Sequence, residues 1–108
     1  MTYDEALAAR VRAALTAEPD VQEKRMFGGL AWMVGGSMAV AAMPTGLLVR
    51  CPPGRAEQLL TGPGVEPFAM GGRVGAGWVV VPEPDDVVPW VTLGLTAIGR
   101  HADGRAPA

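Results

Sequence analysis

Leu7, Val11, Ala14 and Leu15 fall at helical spacing on one stripe, with charged and small residues between them, and predict a helix over residues 4–17. Thr2 or Asp4 is placed to cap it, Glu5 suits the positive end of the helix dipole, and Pro19 stops it. The period then shortens. Residues 22–27 read as a first strand. Leu30, Trp32 and Val34 alternate with Ala31 and Met33, and Met38, Val40 and Ala42 repeat at every second position on the following arm. Residues 47–50 form another short strand. Gly28-Gly29 marks a bulge or sharp bend, while Gly35-Gly36-Ser37 and Pro44-Thr45-Gly46 read as tight turns.

Pro52-Pro53-Gly54 ends this run of three or four strands, and residues 55–60 read as a short helix with Ala56, Leu59 and Leu60 inward. Residues 65–70 are a short extended segment, Gly71-Gly72-Arg73 a turn or bulge, and residues 77–81 the clearest later strand, stopped by Pro82. Asp85 or Asp86 caps a last helix that tolerates Pro89 in its first turn and turns Val87, Trp90, Val91, Leu95 and Ile98 inward. Strands in runs, rather than alternating with helices, predict an α+β domain of order α-β(3)-α-β(2)-α, with an antiparallel sheet flanked by helices. The domain is expected over residues 1–101, with a flexible tail at 102–108 that lacks core formers.

Length and composition narrow the function classes. The chain has 108 residues, enough for one domain, and 49% of them are hydrophobic, which excludes compositional disorder. The 15 glycines and 10 prolines sit between apolar runs and act as turn punctuation. A net charge of −2 argues against direct nucleic-acid binding, which draws on a basic surface. One cysteine makes no intrachain disulfide. Gly, Pro and Arg interrupt every apolar run before membrane-spanning length, and the acidic start is unlike a signal peptide. These features together give a cytoplasmic expectation.

Several motifs occur in a suggestive order. Lys24-Arg25-Met26-Phe27-Gly28-Gly29 enters a hairpin whose glycine turn is Gly35-Gly36, followed by Met38. Leu47-Leu48-Val49-Arg50 is a leucine-rich strand ending in a basic residue. Pro67-Phe68, then Trp78-Val79-Val80-Val81 with Pro82, then Asp85-Asp86 before Trp90, complete the series. In this order and over residues 4–98, the sequence resembles the N-terminal domain of the TfoX/Sxy competence-regulator family. The resemblance implies a curved sheet flanked by helices, similar to type III secretion chaperones. It also implies a role in regulating competence or transcription, usually through protein partners. Longer members carry a second, helical domain; the expectation here is the first domain alone.

Each candidate site has a plainer structural reading beside it. Gly28 and Gly29 lack the flanking pattern of a phosphate loop and precede a strand rather than a helix, so a bend bringing Phe27 and Leu30 to the core is preferred. Cys51 lies beside Arg50 and near Arg55, a setting that would favour a thiolate and a reactive thiol, but a small half-buried residue at a strand end is the preferred reading. His101 is not placed near it by any sequence feature. One His and one Cys without close ligand pairs give no metal site, and no cofactor is expected. Glu83, Asp85 and Asp86, interrupted by Pro82 and Pro84, read as a stiffened loop and a cap. Arg25, Arg50, Arg55 and Arg73 either converge to meet an acidic group or form an ordinary rim paired with Glu23, Glu57 or Glu66. Trp32 and the methionines Met33, Met38, Met43 and Met70 lie on or near the sheet, mostly in the core, with a few available to a partner where no helix covers them.

The function expected from these readings is a non-enzymatic interaction domain working through a sheet face or an edge strand, with a protein partner or a second copy in a homodimer. The rivals are a small ligand-binding protein or enzyme built on Cys51 and the arginines, and a nucleic-acid accessory module.

Overall fold

A computed structural model of the chain describes residues 4–26, 28–70 and 73–99. Phe27, the Gly71-Gly72 step, the side chain of Arg73, the Thr2 cap, His101 and the 102–108 tail lie outside the described residues. The elements are α1 (Glu5–Ala14), β1 (Val21–Met26), β2 (Gly29–Val34), β3 (Ser37–Met43), β4 (Gly46–Arg50), α2 (Arg55–Leu60), β5 (Glu66–Met70), β6 (Arg73–Val81) and α3 (Val88–Ala97). They form an α+β domain whose strands make one antiparallel sheet in the order β1-β2-β3-β4-β6-β5. Of the two strand counts for the first run, the larger holds: the chain reverses between Met26 and Gly29, which pair, so the glycine step separates two strands.

Local chemistry sets the boundaries. Asp4 caps α1, its Oδ1 accepting from the backbone N–H of Ala6 at 2.8 Å and of Leu7 at 3.3 Å. The helix ends at Ala14, three residues before the expected stop, in a turn where the Thr16 N–H bonds the Ala13 carbonyl. At the β2–β3 hairpin both Gly35 and Gly36 have positive φ, the conformation that a two-residue turn between twisted strands requires. The cap expected of Asp85 or Asp86 is not formed: the N-cap of α3 is Val87, which makes no side-chain cap bond, and Asp86 Oδ1 instead accepts from the Val88 N–H at 3.0 Å in the turn leading in, with Pro89 in the first turn. Arg10 ties α1 to the loop before α3 by donating to the carbonyls of Pro84 and Asp85, each at 3.2 Å.

The strict alternation expected along Met38, Val40 and Ala42 is broken by a bulge. Trp32 pairs with Val40 but Met33 pairs with Met38, so Ala39 is the extra residue. Ala39, Val40 and Ala42 therefore turn to one face, and Met38, Ala41 and Met43 to the other. The first face carries the main core: Leu7, Ala8, Val11 and Leu15 of α1, Ala56 of α2, and Val91 and Leu95 of α3 pack on Leu30, Trp32, Val40, Leu47, Val49, Val79 and Val81. The second face holds a separate cluster of Ala31, Met38, Ala41, Met43, Leu48 and Val80, to which no described helix contributes.

Candidate functional site

The helix-free face is where the sequence-derived candidates and the geometry meet. Its middle row, Ala31, Ala41, Leu48 and Val80, is buried without a covering layer, because larger side chains close over it from both sides. Met26 and Met43 close one side. Met33 and Met38 with Phe68 and Trp78 close the other. Met26, Met33, Phe68 and Trp78 are only partly buried, so this face shows solvent a rim of thioethers and aromatic rings rather than an open apolar plane.

Arg50 sits in this rim. It is the last residue of β4, directly opposite Trp78 of β6, on the same face as Leu48. Its Nε donates to the Met38 carbonyl at 2.8 Å, and its Cζ lies 4.5 Å from the centroid of the Trp78 ring. The Phe68 ring stands at 56° to that of Trp78, with centroids 6.5 Å apart. Beside Arg50 opens a groove of about 400 Å³, lined also by Cys51, Pro53, Gly54, Glu57, Ala76, Gly77, Trp78 and Ala97.

Cys51 does not have the character of a nucleophile. It is 6% exposed and belongs to the main core, and its thiol points to the Val49 carbonyl at 3.7 Å. Burial pushes its pKa up to about 11; nearby Arg55 opposes the rise and Glu57 adds to it. The expected lowering by arginine is present, but it is smaller than the desolvation.

Arg25, Arg50 and Arg55 do not form one patch. Arg25 lies on edge strand β1 opposite Leu30, exposed and on the helix-bearing face, whereas Arg50 is on the other face and three strands away. Arg55 is exposed at the start of α2, close enough to Cys51 to act on its thiol. For Arg73 only the backbone is described, paired with Met70 near the opposite end of β6 from Trp78. Among the described residues the pairings weighed with Glu23, Glu57 or Glu66 are not formed, and Glu23 is engaged by Arg12, through Nε and through Nη2 at 3.1 Å.

Trp32 leaves the set of interaction candidates. It is 0% exposed on the helix-bearing face, and its indole N–H donates to Glu23 at 3.0 Å. Its place on a strand of alternating apolar residues identified the ring as a sheet residue; the helices above decide that its face is the buried one. Gly28 and Gly29 have structural explanations. Gly28 has φ +73°, and a Cβ on Gly29 would collide with the Ala42 carbonyl. Leu30 reaches the core as expected, and Met26 joins the helix-free rim. Trp78 is the residue that sequence reasoning missed as a site former. Its signal was its place in register with the strand-ending Arg50, which the pairing of β4 with a strand beyond α2 conceals.

Among the described residues no three His, Cys, Asp or Glu side chains gather to hold a metal ion, and no helix is long and apolar enough to cross a membrane. Residues 7–98 match the family model described as the TfoX N-terminal domain. No curated protein and no solved structure matches the chain.

Proposed function

The chain belongs to the TfoX N-terminal domain family, and from that premise we propose that it is a non-enzymatic protein-interaction domain with a regulatory role, of the competence or transcription kind that the family implies. The observation that carries this reading is the helix-free face with its rim of Met33, Phe68 and Trp78 around the fixed Arg50. Aromatic, methionine and arginine side chains are the types enriched where proteins meet. Conversion of the face into an open groove is unnecessary, because partly buried thioethers and rings offer contact surface as they stand. The buried thiol of Cys51, with its raised pKa, supports binding over covalent catalysis. The edge strands support the face over strand addition: β1 exposes Glu23, Lys24 and Arg25, and β5 contains Pro67, both of which discourage pairing with another chain.

The test is capture by the tagged full chain from its native lysate, with and without nuclease, repeated with Met33→Glu after circular dichroism has established that the variant is folded. The expected result is a stoichiometric protein partner that survives nuclease and is lost with the variant. A second copy of the chain counts as such a partner and is read by sedimentation. Loss of every partner on nuclease treatment, or recovery of the chain alone as a monomer, overturns the reading.

A further inference from the structure

The groove beside Arg50 supports a binding assignment that does not depend on a protein docking at the sheet face. An arginine at a strand end ordinarily either moves freely in water or pairs with a carboxylate. Arg50 does neither: the Met38 carbonyl holds its Nε and the Trp78 ring holds its Cζ, while the ion pair found among the described residues is Arg12–Glu23. Its two terminal nitrogens have no protein acceptor among the described residues. No side-chain nitrogen or oxygen there is buried without a partner, so both terminal nitrogens reach solvent. A guanidinium already fixed from two sides loses little further freedom when an oxyanion joins it. The groove next to it has mixed walls: Pro53, Ala76, Trp78 and Ala97 are apolar, and Glu57 and the glycines Gly54 and Gly77 complete it.

We propose that this groove binds a single carboxylate carried on a small apolar body, with the oxygens on the terminal N–H groups of Arg50 and the body against Trp78 and Pro53. The fork of guanidinium donors matches the two oxygens of a carboxylate. Phosphate has the same oxygens but more charge, and Glu57 in the same groove repels a dianion more than a monoanion. A free carboxylic acid and the C-terminal carboxylate of a polypeptide share this chemistry.

The test is an NMR titration of the full chain near neutral pH, following the Arg50 Nε–H and the Trp78 indole N–H. The probes are hydrocinnamate, its uncharged amide, inorganic phosphate, and acetyl-Gly-Gly-Phe with a free carboxylate. Hydrocinnamate is expected to shift both signals saturably, with the amide and phosphate weaker by roughly tenfold or more. Arg50→Lys, which keeps the charge but loses the fork, is expected to weaken the acid about tenfold, and Glu57→Gln to strengthen it severalfold. Tighter binding of the tripeptide than of the free acid assigns the site to polypeptide ends; the reverse assigns it to small acids. Equal shifts by acid and amide, phosphate binding as tight as the acid, or no saturable shift at all overturn the proposal. Should Arg50→Lys fail to fold, the comparison of acid with amide on the unchanged chain decides alone. A negative titration leaves partner capture at the face untouched, and failed capture leaves the titration untouched.

Discussion

Gly94→Ala sets two effects of opposite sign against each other. Gly94 lies within α3, where alanine is the better helix former by about 1 kcal/mol. On an isolated helix the substitution would stabilise. Here α3 rests on β3 at this position: a Cβ on Gly94 would stand 2.6 Å from the Ala39 carbonyl oxygen and 3.2 Å from Cγ1 of Val40. A carbon–oxygen contact of this kind relaxes only near 3.3–3.6 Å, so the two backbones must part by roughly 0.7–1 Å. The strand has no room to yield, because β3 is held by β2 and β4 and both Ala39 and Val40 are fully buried. The helix must lift instead, taking Val87, Val91 and Leu95 with it. Burial of three such side chains contributes about 5–9 kcal/mol. A gap of this width forfeits roughly a quarter to a half of their contact energy. Less the helix-propensity gain, the net destabilisation is about 2 kcal/mol, or a fall in Tm of roughly 10 °C for a domain of this size. Thermal and urea unfolding of the full chain read it directly. A Tm equal to or above that of the parent would refute the close seating of α3 on β3.

Two further outcomes follow from the titratable groups. Glu23 is held below the usual carboxylate range chiefly by its hydrogen bond from Arg12; burial opposes this, and the Trp32 indole N–H and the Arg12 charge add smaller lowering effects. Its folded pKa lies below its unfolded value, so its stabilisation is complete above about pH 5 and is lost as pH falls through the folded value. Glu23→Gln keeps an acceptor for Trp32 but removes the charge, so its stability deficit in urea is expected at neutral pH and to shrink toward pH ~3; a deficit independent of pH would contradict this. For Cys51, a pKa of about 11 against an ordinary 9.0 leaves ~100-fold less thiolate near pH 8, and the greater nucleophilicity of a more basic thiolate recovers only part of that. Alkylation by iodoacetamide is therefore expected to be at least ~10-fold slower in the native chain than in urea, and equal rates would show the thiol to be open.

What the sequence made legible was whatever depends on local period and punctuation. The apolar stripe of α1, the Gly35-Gly36 turn, the short α2 between Gly54 and Thr61, and the early proline of α3 all follow from near neighbours. Facts set by distant parts of the chain were not legible. Leu30, Trp32 and Val34 alternate with Ala31 and Met33, which gives two faces without saying which one the helices cover. Arg25, Arg50 and Arg55 are alike in sequence as basic residues at element ends. Sheet order and face separate them, and the partner of β4 is a strand beyond α2. Cys51 shows the same limit: its sequence setting points to a half-buried strand-end residue, but not to the size of the burial effect. Its charged neighbours are visible in sequence, whereas the desolvation that outweighs them comes from packing in the core.

The β3 bulge connects these points to the candidate site. With Ala39 turned to the helix-bearing face, the β3–β4 ladder runs only as far as Val40 paired with Val49. Beyond that pair, the Met38 carbonyl accepts from a side chain, the Nε of Arg50. Without the extra residue, Val40 and Ala42 would share their face with Met38, as plain alternation demands, and the rim would lose the carbonyl that fixes the guanidinium. The same residue that the bulge turns inward, Ala39, is the one on which Gly94 seats α3. A single inserted position thus couples the packing of the last helix on one face to the orientation of Arg50 on the other. That coupling accounts for the fixed guanidinium of Arg50, on which no carboxylate of the described residues closes.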